Sequence, residues 1–145
     1  MQQPNTRVRE CQTDQLEPPY QNLDTCHPVA VLEAAVRTIF DYARYGGPTQ
    51  AFHAARPLIE PTYARAAQDA VSMWAPPAPE RSRVQSVRVA VDDHPPDTAT
   101  TVQRIVVVEL WQARAAAPVE LVVHTAARRT AATTGWRLSR LGVAS

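Results

Sequence analysis

Four short runs rich in β-branched residues, at 84–91, 103–112, 119–126 and 135–143, follow one another along the back half of this chain. They are parted by segments rich in Pro, Asp, Thr, Ala or Gly, which is the pattern of consecutive strands joined by turns. Everything ahead of them reads as helix or polar tail. Two to three N-terminal helices followed by an antiparallel meander make an α+β domain, the helices packed on one face of a curved four-stranded sheet. That order of elements bounds the function more than any single residue does.

The 145 residues suffice for one domain with a core of its own. We read residues 27–145 as that domain and 1–26 as a polar arm. A formal net charge of +1 leaves no strong overall field to draw in nucleic acid or an anionic membrane. All 15 basic side chains are arginine, and with the abundant Ala and Pro this is what a GC-rich coding sequence produces. No apolar run is long enough to span a bilayer, and the first ten residues lack the apolar stretch of a signal peptide. Read as it stands, the chain is soluble: cytoplasmic if Met1 is the native start, at the extracytoplasmic face of a membrane if an anchor has been removed.

The arm has no apolar period and should be extended, with Tyr20 and Leu23 free to dock on the domain or on a partner. Cys11 and Cys26 are the only cysteines. In an oxidising compartment they would close a small loop and tie the arm to the first helix; in a reducing one they stay thiols. Cys26 and His27 are too few ligands for a metal.

Asp24 and Thr25 are placed to cap a helix that has Pro28 in its first turn. Leu32, Ala35, Val36, Ile39, Phe40 and Ala43 then recur at three and four, a buried stripe that runs to Gly46-Gly47-Pro48. Thr49 can cap a short second helix ending at Pro57. Pro61 opens a third, with Tyr63, Ala67, Ala70, Val71 and Trp74 on one face, spaced to lie against the sheet and plug its hollow. In the first strand Val87, Val89 and Val91 alternate with polar or small residues, giving one dry face. The second strand, with Ile105 to Val108, Leu110 and Trp111, is apolar on both faces and predicts a central strand covered on each side. Leu141 and Val143 shift phase in the last strand, as a bulge would make them do.

Each candidate for chemistry has a plainer alternative. Asp92-Asp93-His94 offers ligand-type side chains, but neighbours on a loop rarely aim at one ion; a solvated turn is the better reading. Glu109, inside the most apolar strand, is either paired with an arginine such as Arg104 or Arg137 or acts as a general base. Glu120 and His124 share a strand face about 13 Å apart, too far for an acid–base couple. Trp74, Trp111 and Trp136 fit a core or an interface better than a ligand stack. Arg128, Arg129, Arg137 and Arg140 make the final hairpin the most basic patch, a place for nucleic acid or an acidic partner, though an ordinary solvated hairpin is the better reading. No phosphate loop, nucleophile elbow or paired-histidine helix is present, so neither a cofactor nor a metal is expected.

The capped helix ending in Gly-Gly, then Arg56-Pro57-Leu58-Ile59-Glu60-Pro61-Thr62-Tyr63 leading into a further helix, then the meander closed by Gly135-Trp136-Arg137-Leu138, resembles the nuclear transport factor 2-like (cystatin-like cone) superfamily. Within it the pattern is similar to bacterial accessory domains of conjugative type IV secretion channels and Mce lipid-import systems. The resemblance implies a domain that positions components of a larger machine and self-associates as dimers or trimers, with no catalysis. On that reading Tyr20, Leu23, Trp111, Arg128, Arg129 and Arg137 are the interaction residues. The superfamily also contains isomerase- and cyclase-like enzymes that work inside the cone; for that alternative only Glu109, Tyr63 and His124 are available.

Overall fold

The structure, a computed structural model, describes residues 10–72, 82–91, 93–112 and 118–144. Its helices come first: α1 (Pro28–Ile39), α2 (Tyr42–Tyr45), α3 (Pro48–Ala55), a 3-10 turn (Arg56–Leu58) and α4 (Ala64–Ser72). Four strands follow, β1 (Arg83–Val89), β2 (Thr101–Trp111), β3 (Val119–Arg128) and β4 (Arg137–Ala144). They form one antiparallel sheet in the order β1-β2-β3-β4. The α+β class and the meander are therefore as the spacing predicts.

Pro28 occupies the first turn of α1, where a missing N–H costs nothing. The residue that begins the helix is His27, and it gives no side-chain cap. Asp24 instead turns the chain beforehand, its carboxylate accepting from the Cys26 amide at 2.9 Å. The apolar stripe does not run through one helix to Gly46. α1 stops at Ile39, and the chain restarts as α2, which Gly46 ends in the left-handed region at φ 89°. Gly47, at φ 130°, then takes the N-cap position of α3 that spacing had suggested for Thr49. Only glycine enters those two conformations cheaply.

α1 lies across all four strands. Val31, Leu32, Val36 and Ile39 are fully buried with Val106, Val108, Leu110, Val123 and Leu138 of the sheet. Among the described residues α1 fills the hollow of the sheet, where spacing had suggested the helix before the sheet. α4 packs chiefly along β4, with Ala64 and Ala67 buried. Its expected continuation through Trp74 lies outside the described residues, as does the side chain of Val71. Phase shifts occur where the apolar pattern slips: opposite Ala126 and Ala127, Ser139 is an extra residue in β4, and Gln85 is one in β1. The β4 bulge returns Leu141 and Val143 to the helix side.

The edge of β4 is closed by its own chain. The Glu60 amide donates to the Leu138 carbonyl at 2.8 Å beside an Ile59–Leu138 bridge. Tyr63 Oη accepts from the Leu141 amide at 2.6 Å and donates to the Leu141 carbonyl at 3.1 Å. Among the described residues no helix is long and apolar enough to cross a membrane.

Candidate functional site

Alternation along the strands assigns the other sheet face residue by residue. Val106, Val108 and Leu110 point to the helices, so Ile105, Val107, Glu109 and Trp111 point away. Pairing extends that face to Ser86 and Arg88 on β1 and to Glu120, Val122 and His124 on β3. Ile105, Val107 and Val122 are half-buried there. Trp111 is 39 % exposed, and the Arg83 guanidinium covers its ring at 4.7 Å. β2 is central, as expected, but its expected cover on both sides is corrected: the helices cover one side, and among the described residues no element packs on the other. Val91, expected on the dry face, lies beyond the end of β1 and is 78 % exposed.

Glu109 stands directly opposite Glu120 across the β2–β3 ladder. Like charges so placed repel. Glu109 accepts a hydrogen bond from Ser86 Oγ at 2.9 Å, not from an arginine. The two arginines suggested for it are engaged elsewhere. Arg104 grips Asp97 with both terminal nitrogens, at 2.7 and 2.9 Å, and Arg137 holds Asp14 at 2.7 Å. The Arg104 guanidinium holds the Asp97 carboxyl below its ordinary value, and Asp97 in turn raises that of Arg104.

The N-terminal segment, expected to be an extended arm able to dock on the domain or on a partner, crosses the β3–β4 turn as a strap. Cys11 and Cys26 are disulfide-bonded with Cα atoms 5.8 Å apart. Inside that loop Thr13 and Thr25 are tied reciprocally: the Thr25 amide donates to Thr13 Oγ1, and the Asp14 amide to Thr25 Oγ1, both at 2.9 Å. The Thr25 carbonyl accepts from the Trp136 amide at 2.8 Å, and the Gln12 amide donates to the Thr133 carbonyl at 3.3 Å. Tyr20 is 6 % exposed; its hydroxyl donates to the Ala54 carbonyl at 2.7 Å and lies 3.1 Å from Thr38 Oγ1. Burial raises its pKa. Leu23 packs on the same core. The polar composition of the segment concealed these contacts because they are backbone and hydroxyl bonds with no apolar period. Both side chains are therefore committed to their own domain.

Clefts among the described residues adjoin the sheet. One of about 320 Å³ is bordered by His94, Arg104, Ile105, His124 and Arg140. Another, about 360 Å³, has Glu60, Tyr63, Arg128 and Arg140. A further one, about 680 Å³, is lined by Asp14, Glu60, Arg128, Arg129 and Arg137. Arg128, Arg129 and Arg137 thus share a cleft, as their nearness in sequence suggests, while Arg140 borders the other two. Asp14 and Glu60, which oppose them, come from distant parts of the chain and left no signal.

The alternative catalytic residues are not brought together. Glu109 lies on the open face near one end of β2, and His124 pairs with Ile105 four residues along it. Tyr63 is locked to the Leu141 backbone at the far edge. Asp92 lies outside the described residues; His94 Nδ1 is 2.7 Å from the Pro95 carbonyl, and Asp97 is taken by Arg104. Among the described residues no group of three or more His, Cys, Asp or Glu could hold a metal ion. Comparison with protein-family models, with curated proteins and with solved structures finds no significant match.

Proposed function

We propose that this chain is a non-catalytic assembly module that docks on a protein partner, or on a second copy of itself, through the open face of the sheet. The observation that carries this reading is the half-exposed stripe of Ile105, Val107 and Val122 on the side of the sheet away from the helices. Arg88 flanks the stripe on β1, and the Glu109–Glu120 pair closes it at one end, with Trp111 and Arg83 beyond that pair. A partner cation between those carboxylates would relieve their repulsion, and burial of the stripe would add the apolar driving force. On the other side α1 fills the hollow of the sheet, so a cone-type substrate would have to displace core residues. The order of elements, with Gly135-Trp136-Arg137-Leu138 closing the meander, also supports likeness to nuclear transport factor 2-like accessory domains of secretion, conjugation or import machines. Light scattering on wild type and Val107→Glu tests this. Assembly, or binding to an identified partner, should disappear in the variant with its melting temperature retained. A Val107→Glu protein that assembles and binds as the wild type does would dispose of the reading.

A further inference from the structure

The turn between β3 and β4 holds chemistry that docking through the sheet face leaves unused. Two of its guanidinium groups are already held in place. Arg129 lies over the Trp136 ring at 4.5 Å and donates from Nε to the Ala99 carbonyl at 2.7 Å and from Nη1 to the Ala132 carbonyl at 3.1 Å. Arg137 donates from Nη1 to the Trp136 carbonyl at 2.8 Å and from Nη2 to Asp14 at 2.7 Å. Exposed Arg128 lines the same cleft. We propose that this cleft is an oxyanion site for a small organic phosphate, and that the Asp14 carboxylate is the internal occupant of the Arg137 fork.

Guanidinium groups fixed by the fold lose little freedom on binding, and their planar forks match tetrahedral oxyanions. Asp14 shows that Arg137 Nη2 takes up a carboxylate oxygen, but it satisfies only Arg137. A phosphate presents three terminal oxygens and can meet several donors together. Thr100 and Thr130 line the cleft beside the arginines, so its wall is polar as well as charged. At about 680 Å³ the space exceeds one phosphate ion and falls in the range of small-molecule sites. Asp14 and Glu60 offset two of the three arginines, which disfavours a long nucleic-acid backbone and favours a compact ligand that displaces the Asp14 contact. This inference is independent of the sheet-face reading and survives its failure.

The test is a titration of the whole disulfide-bonded chain with sodium pyrophosphate at constant ionic strength, followed by amide NMR. Saturable shifts confined to Asp14, Glu60, Thr100 and residues 128–137 are expected. Arg128→Gln should weaken binding about tenfold, the loss of one charge-assisted bond. Asp14→Asn should strengthen it several-fold; if that variant fails to fold, Glu60→Gln, which removes the other carboxylate of the cleft, should strengthen it likewise. Shifts spread over all arginines, equal affinity for sulfate, or an Arg128→Gln protein that binds as the wild type would each overturn the proposal.

Discussion

A methyl group at Gly135 would stand 2.8 Å from Thr25 Cβ and closer still to Asp14 Oδ2. The glycine of the Gly135-Trp136 pair is thus required by the strap lying on it, not by a left-handed turn. Gly135→Ala should cost about 2 kcal/mol, the scale of overpacking a filled site. Gly142, with nothing within 4 Å of an added Cβ, should accept alanine at little cost. Urea denaturation of the two variants side by side checks this; equal stability would mean the strap moves aside freely. Tyr42 is the opposite case. It is fully buried, its hydroxyl has no hydrogen-bond partner among the described residues, and burial pushes its pKa up to about 12. An unpartnered buried hydroxyl is costly, so Tyr42→Phe should stabilise the fold by about 1 kcal/mol at neutral pH. Below pH 10 both folded and unfolded tyrosine are protonated and titration adds nothing. Between pH 10 and 12 only the unfolded chain releases the proton, so stability falls as pH rises. The advantage of phenylalanine should therefore widen from pH 9 to pH 11. A destabilised Tyr42→Phe would reveal a partner for the hydroxyl.

Among the elements, the strap and α1 carry most of what was unforeseen. Tyr20 and Leu23 anchor the strap in the core, but its hold on the turn depends on backbone, hydroxyl and ion-pair contacts that water can replace. Closing the 15-residue separation between Cys11 and Cys26 restricts the unfolded chain by about 3 kcal/mol in the loop-entropy account. Cys11→Ser with Cys26→Ser, or reduction, should lower stability by up to about that amount. Hydrogen exchange should then rise in residues 10–26 and in the 133–137 turn, while β2 and β3 amides stay protected. Uniform loss of protection would mean the strap and the sheet unfold as one unit. α1 became the plug because its stripe is the longest in the chain and reaches all four strands, whereas the described part of α4 is short and its small alanines seat it close along β4.

For the whole molecule the decisive asymmetry is between the two faces of the sheet. One is sealed by α1; the other carries an apolar stripe bordered by charges of both signs. Association through such a face should weaken with salt yet persist, because raising the ionic strength from about 0.1 to 1 M shortens screening from about 10 to 3 Å without removing apolar burial. A light-scattering series across that range checks this. Complete dissociation by salt would assign the contact to charge alone, and to the arginine hairpin before the stripe.

How much of this could be read without the fold follows from how local each signal is. Strand positions, the bulge near Leu141 and the helical start at Pro28 are written in spacings of two to four residues, which set side-chain direction wherever the segment lies. The clustering of Arg128, Arg129 and Arg137 is likewise local. Apolar side chains on both faces of β2 were legible too, but whether anything covers the second face is a property of packing that no period encodes. Asp14 on Arg137, separated by 123 positions, and Thr25 against Gly135 exist only once the chain has closed on itself. Polar contacts between distant segments depend on a few ångströms of tertiary placement, and so the cleft and the strap were decided by the fold, while the sheet that carries them was settled by the order of the residues.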